Sequence, residues 1–240
     1  MHDARGSGNT GYEPPGNEVG PEPMTVDGYE SLKISRRELL KGETELTTSV
    51  RDHTNLIFHF MNEGSSRFAA YHAEPGPSLT NLGLLRYPKH EGDFTGGSVG
   101  HNKHTDIGSL TFLLCKQWGL QILSPDTGTW EFVQPRDHHA VVNVGDSLRF
   151  LSGGQLASVV HRAIPPQGKQ LEDRYSIAYF LRVHNDVQLQ DANGKLWSAR
   201  DWHGFKFGVF RSHSREDEAG HLQTAQRFCH RPPFPWRARA

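Results

Sequence analysis

Leu120-Gln121-Ile122-Leu123 and Trp130-Glu131-Phe132 are two short apolar runs separated by Ser124-Pro125-Asp126-Thr127-Gly128-Thr129. Proline presets φ for the second position of a turn, aspartate bonds its own backbone, and glycine accepts positive φ. The stretch therefore predicts a β-hairpin. Segments of the same texture lie on either side of it: Leu82–Tyr87, Ser109–Leu114, Ala140–Val144, Ser158–Ala163 and Tyr175–Arg182. Each is short, many carry β-branched or aromatic residues, and the gaps carry Gly, Pro, Asp and Asn. Seven such strands predict a mainly β fold, a sandwich or jelly roll with flanking helices, and not a parallel α/β sheet.

The ends differ from this middle. Residues 1–30 are rich in Gly, Pro, Glu and Asp and read as loop or disordered lead-in. Ser35-Arg36-Arg37-Glu38 has the form of a capping box opening a short helix that Gly42 ends. Apolar residues between Val50 and Tyr71 fall near helical spacing until Pro75-Gly76-Pro77. Leu196 to Phe210 predicts a further helix, with Trp202, Phe205 and Val209 on one face, and the tail from Arg227 is basic, Pro-rich and expected to be loose. The expected organisation is a lead-in with short helices over 1–80, a β core over 81–187, and a C-terminal helix and tail over 188–240.

With 240 residues, 35% of them hydrophobic, the chain is long enough for one real core. A formal net charge of −1 argues against a nucleic-acid or anionic-membrane surface as partner. No apolar run approaches a membrane helix, and the opening residues carry no secretory pattern. Two cysteines, Cys115 and Cys229, cannot build a disulfide framework, so a reducing, cytoplasmic setting is expected. Oligomeric state is not written in the chain.

The chemistry concentrates in three places: His104-Thr105-Asp106, His161 and Arg174-Tyr175-Ser176. Two imidazoles and one carboxylate can hold one face of an octahedral Fe(II) and leave the other face open. Residues i and i+2 of a strand point the same way, which would bring His104 and Asp106 to one side at a strand edge, with His161 on a strand of the facing sheet. The same parity would turn Arg174 and Ser176 inward together, a planar guanidinium and a hydroxyl suited to a carboxylate. Tyr87, ending its strand, could add a phenol. The bland alternatives are a solvated His104–Asp106 loop pair, a core His161, and a surface pairing of Arg174 with Glu172 or Asp173. Fifteen histidines make a lone His-x-Asp weak evidence. His101 reads as an outer partner of the site or a loop residue, His138 and His139 as turn residues, and His90 as having no partner at ligand spacing.

These motifs together resemble the Fe(II)/2-oxoglutarate-dependent dioxygenases, in the branch similar to isopenicillin N synthase. Leu84-Leu85-Arg86-Tyr87-Pro88, the run Gly100–Thr111, Asn143-Val144-Gly145-Asp146, His161-Arg162-Ala163 and Arg174–Phe180 carry the likeness, which runs from about Gly11 to about Arg211 and is strongest over 82–184. The resemblance implies a double-stranded β-helix (a distorted jelly roll). It implies His104, Asp106 and His161 as iron ligands, and Arg174, Ser176 and Tyr87 around the far carboxylate of 2-oxoglutarate. No other catalytic residue is implied. Members carry an N-terminal α/β region before the segment resembling Gly11–Ile34, and this chain is expected to lack most of it. Leu85 stands where many plant members carry Asn.

The expected activity is oxidation of a small organic molecule by O2, by hydroxylation, desaturation or cyclisation, with 2-oxoglutarate consumed. Natural-product intermediates are the substrates that analogy suggests, with Phe112, Phe150 and the segment Leu181–His184 as candidate pocket residues. Two rivals stand beside this reading: an iron oxidase that uses O2 without 2-oxoglutarate, and a non-catalytic jelly-roll remnant.

Overall fold

The computed structural model describes residues 10–20, 25–41, 68, 70–72, 76–90 and 100–211. Two antiparallel sheets face each other. The larger has six strands in the order β1-β2-β3-β10-β5-β8 and the smaller four, β4-β9-β6-β7. The strands are β1 Gly11–Glu13, β2 Glu30–Ser35, β3 Asn81–Tyr87, β4 His101–His104, β5 Leu110–Leu114, β6 Leu120–Leu123, β7 Trp130–Phe132, β8 Val141–Val144, β9 His161–Ala163 and β10 Arg174–Leu181. A separate hairpin joins β11 Gln188–Gln190 to β12 Leu196–Ser198. Among the described residues three α-helices flank the sheets: α1 Arg36–Lys41, α2 Asp146–Leu151 and α3 Ala199–Arg211. This is the double-stranded β-helix.

The predicted hairpin is present: β6 pairs with β7 around a turn in which Gly128 takes φ 67°. The capping box also forms. Glu38 N–H donates to Ser35 Oγ at 3.2 Å, and the Glu38 carboxylate accepts from Ser35 N–H at 2.8 Å. Such a cap is worth about 1 kcal/mol to a short helix.

Alternation along the strands gives the large sheet two faces. On one, Ile34, Leu82, Tyr179 and Leu181 bury against Leu39 of α1, with Phe112 packed beside them. On the other, Leu85, Tyr87, Arg174, Ser176, Ala178 and Phe180 line the space between the sheets. β10 lies between β3 and β5, so its backbone bonds are satisfied on both sides. It is not uniformly in the core, since Tyr175 and Ile177 are exposed.

Three expectations are corrected. Residues 11–20 and 25–30 are not loose: β1 and β2 extend the large sheet, and Glu13, Glu18, Asp27 and Tyr29 are buried. Polar composition hid this because these carboxylates are bonded inside, as Glu18 is by the Tyr29 hydroxyl at 3.0 Å. The stretch from Leu196 opens as strand β12 and becomes helix only at Ala199. Phe112 and Phe150 are core residues, Phe150 meeting Trp202 edge-on at 5.0 Å. The helical pattern from Val50 to Tyr71 lies almost wholly outside the described residues, and the tail from Arg227 lies wholly outside them. Among the described residues no helix is long and apolar enough to cross a membrane.

Candidate metal centre

β4 and β9 are neighbours in the small sheet, and their register sets His104 directly opposite His161. The two histidines therefore come from adjacent strands of one sheet, not from facing sheets. Asp106 lies just past the end of β4, in the turn toward β5. It reaches the histidines by chain reversal, not by strand parity. Asp106 Oδ1 stands 3.8 Å from His104 Nε2 and 3.7 Å from His161 Nε2. One donor atom from each of the three residues lies within 4.8 Å of the others, the only such group that could hold a metal among the described residues.

Hydrogen bonds fix how each group points. His104 Nδ1 is 2.7 Å from the Asn102 carbonyl, and His161 Nδ1 is 3.1 Å from the Val159 carbonyl. A carbonyl accepts only, so each Nδ1 carries a proton, and in the neutral ring the Nε2 lone pair is the one turned toward Asp106. The other carboxylate oxygen of Asp106 accepts from Asn143 Nδ2 at 2.7 Å. Burial by itself would raise the Asp106 carboxyl, but His161, His104, Thr111 and Asn143 outweigh it and hold the group at about 2. Burial, with His161 and His101 beside it, pushes His104 well below the usual imidazole range and so keeps it a neutral ligand. Donors about 2.1 Å from a shared ion stand roughly 3.0 Å apart at a right angle and roughly 3.4 Å apart at the tetrahedral angle. The two His–Asp separations, 3.8 and 3.7 Å, exceed these by less than an ångström, a gap that small side-chain rotations close, so the residues fit a divalent ion.

The backbone around the triad is braced from two directions. Asp146 N–H, opening α2, donates to the Asp106 carbonyl at 2.7 Å. A Cβ on Gly145 would overlap the Gly108 carbonyl, which is why this turn needs glycine. Lys206 of α3, 2% exposed, donates to Thr105 Oγ1 at 2.8 Å and pairs with Asp146 Oδ2 at 3.0 Å. Thr105 stands between two of the converging residues, so the C-terminal helix supports their loop.

The cavity between the sheets measures about 270 Å³ and contains the triad, Tyr87, Arg174 and Ser176. Arg174 is 4% exposed. Its Nε donates to the Trp118 carbonyl at 3.0 Å, and its guanidinium stacks 4.8 Å from the Tyr87 ring, its partner in register across β3 and β10. Its Nη1 is buried with no hydrogen-bond partner. The surface pairing does not occur: Asp173 is taken by Arg86 at 2.9 Å and Glu172 by Gln117 at 3.0 Å. A buried guanidinium with an open donor needs an anion. The cavity thus holds an open cationic donor in the same space as three side chains that could hold a metal, an arrangement that fits a small dicarboxylate such as 2-oxoglutarate. Burial pushes the Tyr87 phenol up to about 12, so it stays a protonated donor.

Other histidines separate cleanly. His101 stacks on His104 with ring centroids 4.3 Å apart and stands 3.5 Å from Glu18, so it is an outer partner of the site and not a loop residue. His138 and His139 lie at a turn. Arg182, within the expected pocket segment Leu181–His184, does line a cavity beside the triad. Glu18, Tyr29 and Lys206 were not singled out by sequence reasoning. Nothing local marks them, because their partners lie far away in the chain.

A family model of the 2OG-Fe(II) oxygenase superfamily matches residues 64–183. Oxidoreductase vrtI of Penicillium aethiopicum is 48% identical over 238 residues, covering 91% of this chain and 57% of that protein. 2-Oxoglutarate-dependent dioxygenase frbH of Dothideomycetidae sp. (strain 11243) is 46% identical over 238 residues, covering 91% of this chain and 73% of that protein. A full-length Neurospora crassa protein, solved in complex with alpha-KG, superposes with a TM-score of 0.63 at 23% identity, over 84% of this chain and 75% of that one, and establishes the shared fold. Family model, relatives and fold agree, and the chain belongs to the 2OG-Fe(II) oxygenase superfamily.

Proposed function

We propose that this chain is an Fe(II)- and 2-oxoglutarate-dependent dioxygenase that oxidises a small organic molecule with O2. His104, Asp106 and His161 are the iron ligands; Arg174, Ser176 and Tyr87 receive the far carboxylate of 2-oxoglutarate. The observation that carries the reading is a pair of Nε2 lone pairs and a carboxylate converging in the same cavity as the unpaired Nη1 of Arg174. Bound together, iron and 2-oxoglutarate supply an oxidant made from O2, with the oxo acid leaving as succinate and CO2. The chain's residues do the positioning. The backbone carbonyls of Asn102 and Val159 hold the imidazole tautomers, and Asn143 holds the plane of the Asp106 carboxylate. Arg174 fixes the far end of the oxo acid, while the apolar walls Leu113, Ile122 and Val159 keep bulk water away.

Relatives named as 2-oxoglutarate-dependent dioxygenases favour use of the oxo acid over the oxidase alternative. Their fungal sources favour a secondary metabolite as substrate. The catalytic unit proposed is residues 81–187. A net charge of −1 supports a small-molecule partner over nucleic acid or an anionic membrane, in a reducing cytoplasm that keeps iron ferrous.

The test is an anaerobic titration with Fe(II) and 2-oxoglutarate, followed by visible absorbance. The chelate should give a weak charge-transfer band saturating at one equivalent of each. A folded protein that gives no band, or gives one with iron alone, would contradict the assignment.

A further inference from the structure

We propose that a second anion site, centred on Arg182, receives a carboxylate of the organic substrate. The inference rests on the dioxygenase reading above and names the substrate class for the same centre. Arg174, Ser176, Ala178 and Phe180 share one face of β10, and Arg182 follows in the same parity just past the strand end. Arg174 and Arg182 thus stand at opposite ends of one strand face, about 26 Å apart along the chain at strand rise. The metal-ligating cluster lies between them: a cavity runs from His104 and Asp106 to Arg174, and a second shares both residues and runs to Arg182.

The two arginines have the same signature. Arg174 gives one bond to a backbone carbonyl and keeps a buried nitrogen without a partner. Arg182, 9% exposed, donates from Nη1 to the Leu79 carbonyl at 2.5 Å, and its buried Nε has no partner. Two other buried cations, Lys206 and Arg149, share Asp146, and the half-buried Lys33 pairs with Glu13 at 2.5 Å. No carboxylate among the described residues forms an ion pair with Arg182. Glu18 lines the same cavity, but Tyr29 and His101 hold it. Asp106 is the one carboxylate whose charge acts on Arg182, and burial still depresses the guanidinium to about 10. A buried guanidinium that lines a cavity, keeps an open donor and has no ion-paired carboxylate is suited to an incoming anion.

The second cavity measures about 60 Å³. That is room for a carboxylate and an adjoining carbon or two, not for a whole metabolite. Phe180, Phe207, Phe210 and Ile107 form its apolar walls. A carboxylate held there is anchored to one side of the metal while the remainder of the substrate extends along the open face.

The protein loaded anaerobically with Fe(II) and 2-oxoglutarate tests this with matched neutral and anionic probes. Phenylacetate and butanoate are compared with phenylacetamide and butanamide, by calorimetry and by perturbation of the chelate band. The acids should bind at least about tenfold tighter than the amides, because an amide leaves the guanidinium unpaired. Arg182→Met should remove that preference and Arg182→Lys restore part of it, with Fe(II) and 2-oxoglutarate affinities unchanged in both. Equal binding of acid and amide, no binding of either, or a preference that survives Arg182→Met would overturn the proposal. The acid–amide comparison on the unaltered protein decides the matter even if a variant fails to fold. Loss of the chelate band itself would count against the dioxygenase reading and not against this one.

Discussion

His104 and His161 face each other across β4 and β9, and each ties its Nδ1 to the carbonyl two residues upstream, at Asn102 and at Val159. The same local device on paired strands turns both Nε2 atoms to one point. Sheet register, a backbone property, therefore sets the spacing of two of the three proposed ligands.

Replacing His161 by alanine leaves one histidine and Asp106. Iron affinity is expected to fall by more than ~100-fold, beyond the ~10–100-fold typical of losing an outer-shell partner, and turnover should vanish. Anaerobic Fe(II) titration with circular dichroism as a folding control checks it; a variant that still binds iron stoichiometrically would remove His161 from the site.

Asn143→Leu removes the hydrogen bond that orients Asp106 without touching a ligand. Metal affinity should drop by ~10–100-fold, with the fold intact because Asn143 is only partly buried. Asn143→Asp should be worse still, since a second carboxylate 2.7 Å away would repel the first. Equal iron affinity in all three proteins would show that the bond does nothing for the metal.

For Arg174→Leu the prediction separates the two ligands of the centre. Iron binding should persist, while the Kd for 2-oxoglutarate rises ~100-fold, the equivalent of about 3 kcal/mol for losing a buried charged partner. Arg174→Lys should recover only part of this, because an ammonium lacks the planar fork. Titrating 2-oxoglutarate at saturating iron is the measurement, and an unchanged Kd would place the clamp elsewhere.

Lys206→Met strands the Asp146 carboxylate, 1% exposed, with Arg149 as its remaining cation. Breaking a buried pair costs about 3–5 kcal/mol, or a fall in Tm of roughly 6–20 °C for a chain of this size. Thermal melts of Lys206→Met, Asp146→Asn and the double variant should show strong coupling. Additive losses would mean that the pair contributes no more than its separate contacts.

Gly145→Ala tests the turn. The new methyl would meet the Gly108 carbonyl, so the Asp146 N–H bond to the Asp106 carbonyl must shift. Weaker iron binding with a modest loss of stability is expected, measured by the same titration and melt; a variant matching the parent in both would show that the turn tolerates a side chain.

Residues that act through their neighbours in sequence were legible. The Pro125–Gly128 turn, the Ser35–Glu38 cap, and the inward parity of Arg174 and Ser176 are local rules of dihedral, donor and period. Residues 11–20 and 25–30 were misread for a related reason. Their Glu and Asp suggest solvent, and only distant partners such as Lys33 for Glu13 and His101 for Glu18 make burial possible.

The amino-acid sequence by itself determined the β architecture and which side chains have the chemistry of a metal centre and its anion clamp, because alternation, turns and donor type are short-range properties. Only the tertiary structure decided that His104 and His161 share one sheet, that Asp106 arrives from a turn, and that Lys206 braces the loop between them. Those relationships depend on strand register and on contacts between residues far apart in the chain, and no local pattern encodes them.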